Sequence, residues 1–152
     1  QYSYETKLGS VTIVEEDGAL LAISTHRSFE GIIKETNLIK EAYRQFSEYL
    51  EGERKVFDLP FKMQGTEFQK RVWKALCDIP YGETRSYKQI AEAIGNPKAV
   101  RAVGMANNKN PLLVVVPCHR VIGANRQLVG YASGLEKKRF LLQLENPNFQ
   151  PR

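Results

Sequence analysis

At 152 residues the chain is long enough for one domain or two small ones, and it can bury a core without metals or staples. Its 42% hydrophobic and 26% charged residues are ordinary for a globular protein, and no apolar run approaches the length that spans a membrane. The formal net charge of +5 and a pI near 9.2 permit a polyanionic partner without demanding one. Gln1–Glu5 have neither the basic start nor the apolar core of a signal peptide. The two cysteines, Cys77 and Cys118, make no disulfide framework, so a reducing, cytoplasmic setting is expected.

Residues 2–25 read as a small antiparallel sheet. Ser10 to Val14 is β-rich, Asp17-Gly18 signals a hairpin turn, and Leu20 to Ile23 forms the return strand. Lys34 to Leu50 has helical spacing, with Leu38, Ala42, Phe46, Tyr49 and Leu50 on one face and Gly52 as the stop. Residues 53–65 read as a linker, or as a short strand at Val56-Phe57 followed by one, which sets a domain boundary near residue 60. Thr66 caps a helix whose stripe is Phe68, Val72, Trp73, Ala75, Leu76 and Ile79, closed by Pro80-Tyr81-Gly82. Cys77 lies in that helical stretch and is read as a small buried hydrophobe. Ser86 opens a second helix over Tyr87 to Ile94, Gly95-Asn96-Pro97 turns the chain, and a third helix runs from about Lys98 to Asn107. Its apolar positions are Val100, Val103 and Met105, and its exposed ones Lys98, Arg101 and Asn108. Leu112 to Val116 is a buried strand or extended core segment, and Leu135 to Leu144 is the last helix, with Phe140, Leu141 and Leu144 inward.

Between Glu92 and Glu136 there is no carboxylate, while Lys98, Arg101, Lys109, Arg120 and Arg126 lie in the same stretch. Such a gap arises by chance in basic proteins, but uncompensated cations are also what a phosphate backbone needs. The two short helices either side of Gly95 are an ordinary helical hairpin or a helix-turn-helix; the acid-free surface favours the second.

The run Val114-Val115-Val116-Pro117-Cys118-His119-Arg120-Val121 presents a thiol beside an imidazole and a guanidinium. A thiolate in such a positive cluster is stabilised, and it can take a group from a bound electrophile. Either the thiol pKa falls from about 8.5 or its proton is removed as the new bond forms. Neighbouring side chains on a turn seldom align, so His119 would act through a water, with an acid on its other nitrogen; Glu145 is the best candidate for that acid. His119 bonded to backbone in a structural role is the alternative. No metal-ligand spacing, phosphate loop or dinucleotide fingerprint is present, so no cofactor is expected.

The Pro117-Cys118-His119-Arg120-Val121 motif resembles that of the O6-alkylguanine-DNA alkyltransferases, or methylated-DNA–protein-cysteine methyltransferases. The likeness takes in Gly65-Thr66, Phe68-Gln69, Val72-Trp73, Ile79 to Thr84, Ser86-Tyr87, Gly95 to Gly104, Asn110-Pro111, Gly130-Tyr131, Gly134-Leu135 and Lys138 to Leu142. It therefore covers about residues 65–145, and the remainder agrees only in size and pattern. The resemblance implies an α/β (α+β) fold: a small N-terminal ribonuclease H-like sheet domain, residues 1–60 with linker, and a mostly helical winged helix-turn-helix domain, residues 61–152. It also implies a monomer acting on double-stranded DNA that contains alkylated guanine. O4-alkylthymine is left open as a further substrate.

The resemblance assigns roles residue by residue. Cys118 is the alkyl acceptor, His119 its base through a water, Glu145 the orienting acid, and Asn110 an organiser of the active-site turn. Arg101 enters the duplex where the base leaves. Tyr87 pushes the 3′ phosphate and donates toward the purine N3. Tyr131 covers the flipped guanine, and backbone groups at Val121 and near Val116 read its edge. Ala99 and Ala102 allow close approach to the minor groove, with Lys98 and Arg120 as further DNA contacts. Ala132 stands where many relatives carry serine, so the donor toward O6 falls to the backbone of Ala132 or Ser133 or to the Ser133 hydroxyl, and slower transfer is expected. Val129 is expected to narrow the pocket mouth against bulky groups. Three rivals remain: a lesion binder without transfer, which the presence of Cys118 opposes; a winged-helix regulator, which the complete residue set opposes; and a thiol hydrolase, for which no water-activating group is evident.

Overall fold

The computed structural model describes residues 1–151. They fall into two compact units, Gln1–Gln64 with Pro111–Leu113, and Gly65–Asn110 with Val114 onward.

The first unit is built on an antiparallel sheet of β1 (Tyr2–Thr6), β2 (Gly9–Glu16) and β3 (Ala19–Ser24), in that order. Asp17 and Gly18 both have positive φ, 51° and 78°, as a two-residue turn matching the strand twist requires. Alternation along β2 turns Val11 and Ile13 inward, where they meet Ile39, Ala42, Phe46 and Tyr49 of helix α1 (Asn37–Leu50). Thr36 caps α1 by accepting from the Ile39 amide, so the helix starts three residues later than its apolar spacing suggests. Val56 is exposed and forms no strand. The free edge of β3 is instead satisfied by two short parallel bridges, Leu20 with Phe61 and Ile23 with Leu112. Their hydrogen bonds run from Leu20 N to Pro60 O (2.9 Å), Lys62 N to Leu20 O (2.9 Å) and Ile23 N to Pro111 O (2.8 Å).

The second unit packs α2 (Glu67–Cys77), α3 (Tyr87–Ala93) and α4 (Val100–Asn108) against one another, with α5 (Leu135–Glu145) against the turn at Cys118–Arg120. Both α2 and α3 start with reciprocal capping boxes, Thr66 with Gln69 and Ser86 with Gln89, which explains why their starts are readable from sequence. Trp73 is buried in the helical core and donates from Nε1 to Ala106 O at 2.8 Å, tying α2 to α4. A Cβ at Gly65 would stand 2.7 Å from the Trp73 ring, so only glycine fits there. Two-residue strands β4 (Arg85–Ser86) and β5 (Val121–Ile122) pair in parallel and bring the Cys118 turn beside the start of α3.

Several expected burials are corrected. Cys77 is exposed, because it lies on the last turn of α2, off the Val72-Trp73-Leu76 stripe. On α4 the inward spacing is Val103, Ala106 and Asn107, which leaves Val100 and Met105 on the surface, Met105 by 64%. The helix begins at Val100 behind Ala99, and Lys98 precedes it. On α5 the inward positions are Lys138, Leu141, Leu142 and Glu145, and Phe140 is turned outward. The apolar run 112–116 is not a continuous strand: Val114 sits at φ 71° and bends the chain. A β-branched residue in the left-handed region costs about 1–3 kcal/mol, held by the surrounding structure.

Candidate active site

Proline sets the position of the nucleophile. Pro117 has φ −81° and ψ 64°, and the Cys118 amide reaches back to Val116 O at 2.8 Å, closing an inverse γ-turn. Cys118 then opens one turn of 3-10 helix through Arg120. The Val116 carbonyl also accepts from Asn110 Nδ2 at 2.7 Å, so Asn110 clamps the turn from outside. The Cys118 carbonyl accepts from the Val121 amide and from Asn107 Nδ2 at 3.3 Å.

The positive cluster read around the thiol is differently organised. His119 and Arg120 are buried, and both are committed to Glu145 of α5. His119 Nε2 lies 2.7 Å from Glu145 Oε2; Arg120 Nε and Nη2 donate to the carboxylate at 2.8 and 3.0 Å. Arg120 Nη1 donates to Ile79 O at 2.7 Å, and the Gly82 amide donates to Glu145 Oε1 at 3.0 Å. The guanidinium also lies 5.7 Å from the Tyr81 ring. Arg120 was expected on the DNA-facing surface; its donors are instead turned inward onto Glu145 and Ile79. Burial alone would raise the Glu145 carboxyl, but the hydrogen bonds and charges of His119 and Arg120 hold it well below the usual range.

Nor is Cys118 a pre-formed thiolate. Only 6% exposed, its thiol is pushed up by burial, an effect that Asn110, Lys138, its own backbone amide and Tyr131 offset only in part. His119 is lowered by burial despite Glu145, so the imidazole is neutral near pH 7. A neutral ring facing a carboxylate through Nε2 carries its proton there and its lone pair on Nδ1. The arrangement thus supplies a base for a protonated thiol rather than a resting thiolate.

Tyr87, Tyr131 and Lys138 also lie near the thiol. Tyr131 is buried, and the Tyr87 hydroxyl donates to Val129 O at 2.9 Å. Lys138 Nζ donates to the same carbonyl at 2.9 Å and lies 5.8 and 5.9 Å from the Tyr87 and Tyr131 rings. Burial lowers the Lys138 ammonium to about 8 and raises the Tyr87 phenol to about 12. Ala132 is exposed and Ser133 half-buried at the loop's end. On α4, Arg101 and Ala102 are exposed, as is Lys98 ahead of the helix, while Ala99 is half-buried at its N-cap.

Two family models divide the chain. Residues 2–63 match the one described as "6-O-methylguanine DNA methyltransferase, ribonuclease-like domain", and residues 67–147 match "6-O-methylguanine DNA methyltransferase, DNA binding domain". The chain belongs to the 6-O-methylguanine DNA methyltransferase family. Among its relatives, the methylated-DNA--protein-cysteine methyltransferase of Methanosarcina acetivorans is 49% identical over 148 residues, covering 93% of this chain and 95% of that protein. The constitutive enzyme of that name from Bacillus subtilis is 48% identical, covering 96% of this chain and 94% of its own. The crystal structure of Mycobacterium tuberculosis OGT in complex with DNA superposes with a TM-score of 0.86 at 42% identity, over 96% of this chain and 92% of that one.

Within this methyltransferase fold, Lys138 and Asn107 are side chains at the site to which sequence reading gave no role. Both were signalled by position. Lys138 stands at helical spacing from Leu141, Leu142 and Glu145, and Asn107 from Val103 and Ala106, so each is a polar residue on an apolar stripe.

Proposed function

We propose that this protein repairs O6-alkylguanine in double-stranded DNA by moving the alkyl group to its own Cys118. The observation that carries the reading is the buried relay behind the thiol: a neutral His119 whose Nε2 is held by an ionised Glu145. Exposed Arg101 and Ala102 on α4, in a stretch without carboxylates, form the surface that meets the minor groove, and Arg101 fills the gap left by the flipped base.

The flipped base enters beneath Tyr131. The Tyr87 hydroxyl exchanges the Val129 carbonyl for the purine N3. The thiol proton passes through a water to His119 Nδ1 as sulfur attacks the alkyl carbon in line. An S–C bond forms, the C–O6 bond breaks, and its electron pair remains on the purine, which Tyr87 helps to neutralise. The thioether product has no hydrolytic exit, so each molecule acts once. Asn110 keeps the Cys118 turn in place, and the Lys138 ammonium offsets charge developing on sulfur. Groups at Val121, Val116, Ala132 and Ser133 contact the guanine edge. Cys118 and α4 both belong to the second unit, Gly65–Asn110 with Val114 onward, which takes the role of DNA-binding and acceptor domain in this reading. No helix among the described residues is long and apolar enough to cross a membrane.

Stoichiometry tests this directly. Duplex carrying one O6-methylguanine, in excess over protein, should be repaired in an amount equal to the protein added and no more. Continued turnover would contradict the reading.

A further inference from the structure

Met105 is an apolar side chain that the fold does not bury and the proposed mechanism does not use. It stands on α4 with 64% of its surface exposed, because the inward positions of that helix are Val103, Ala106 and Asn107. A single exposed apolar residue is ordinary on a protein surface. The surroundings of this one are not. Arg101, Met105 and the C-cap residue Lys109 follow one another at intervals of four, so they share one helical stripe, with a cation a turn to either side of the thioether. All three are exposed, and no carboxylate occurs between Glu92 and Glu136. The nearby positions on that face are small: Ala102 is exposed and Gly104 half-buried. Toward α2 the stripe borders a groove lined in part by Phe68, Ala102, Met105 and Lys109.

Cations flanking an apolar projection, with small residues beside it, match the minor groove of a duplex, where phosphates form the rims and base edges the floor. Four residues of helix advance about 6 Å, and successive base pairs are about 3.4 Å apart. With Arg101 at the gap left by the flipped base, Met105 comes over the floor within about two base pairs of the lesion. At an A·T pair that floor carries only acceptors, whereas at a G·C pair the guanine 2-amino group rises from it as a donor. A methionine chain pressed there excludes the water that would satisfy this donor, and its thioether is only a weak acceptor.

We infer that Met105 is a specificity-determining residue for sequence context: laid against the minor-groove floor, it disfavours G·C pairs under α4, which makes lesions flanked by A·T pairs the better-bound substrates. The inference rests on the proposed docking of α4 in the minor groove. It concerns the paired bases that stay in the duplex, not the base that leaves it.

The test is equilibrium binding to two lesion-free duplexes, one of alternating G·C pairs and one of alternating hypoxanthine·C pairs, which differ chemically only in the 2-amino group. The wild-type protein should bind the hypoxanthine duplex about fivefold more tightly. Met105→Ala should bring that ratio near one. Met105→Asn, whose amide oxygen can accept from the amino group, should bring it to one or below. Position 105 is exposed, so neither substitution disturbs the core. Equal binding of the two duplexes by the wild-type protein overturns the inference. So does a preference that survives in Met105→Ala, since it would then come from the shape or flexibility of the DNA and not from the side chain. The binding ratio needs no lesion. A protein that transfers no methyl group would therefore refute the proposed function, while the ratio alone decides the role of Met105.

Discussion

His119 and Glu145 meet at 2.7 Å with side chains 0% and 1% exposed, so the imidazole of the candidate base is oriented by a carboxylate that solvent barely reaches. Arg120 supplies that carboxylate with two further donors, and the Gly82 amide supplies another. His119 lies one residue along the chain from the acceptor, yet its anchor comes from the far end of α5.

Glu145→Gln removes the charge that three groups share. Transfer should slow by about a hundredfold, since an oriented base contributes 10²–10⁴ to such steps. Breaking a buried ion pair on one side should also cost about 3–5 kcal/mol of stability, through the stranded Arg120 guanidinium. Single-turnover rates and denaturant melts check both; an unchanged rate in the folded variant would remove Glu145 from the relay.

Acid should act on stability before it acts on transfer. His119 is held below its ordinary value, so as pH drops through about 6.5 the unfolded chain takes up a proton that the folded one refuses, and stability declines. Glu145, also lowered, adds a loss of the same sign below about 4.3. The transfer rate should stay level through pH 6.5 and fall only at lower pH, because the folded imidazole remains neutral. A rate that halves at the ordinary imidazole value would show an unperturbed base.

Arg101 is exposed on α4, and its truncation should leave stability within about 0.5 kcal/mol. Transfer from duplex should slow in Arg101→Ala by more than transfer from the same lesion in single-stranded DNA, where no gap needs filling. Equal slowing on both substrates would make Arg101 a phosphate contact only.

Ala132→Ser should raise the methyl-transfer rate several-fold by restoring a side-chain donor near O6, in line with about 1 kcal/mol for one hydrogen bond. No change would show that backbone donors suffice. Val129 stands at the same mouth, its carbonyl engaged by Tyr87 and Lys138, so O6-benzylguanine should react more slowly than O6-methylguanine. A Val129→Ala variant should narrow that difference.

Much of the architecture was legible because it is written in local chemistry. Thr66 with Gln69 and Ser86 with Gln89 announce helix starts, and Asp17-Gly18 announces a hairpin. Distance along the chain hid the rest. The parallel bridges from Leu20 to Phe61 and from Ile23 to Leu112 depend on segments with no strand pattern of their own. Arg120 reads as a surface cation until Glu145 is folded against it. The thiol reads as activated by neighbouring charge, yet burial outweighs that charge once the Arg120 guanidinium is turned to the carboxylate and His119 is neutral. Lys138 and Asn107 were visible as polar interruptions of apolar stripes, but spacing alone could not say what they faced.

The most direct measurement is the intact mass of the protein after incubation with duplex containing one O6-methylguanine, with Cys118→Ser alongside. A single gain equal to one CH₂ group, mapped to Cys118 and missing from the serine variant, is the predicted result. Tight, lesion-selective binding with no gain in mass would contradict alkyl transfer and leave a protein that recognises the damage without removing it.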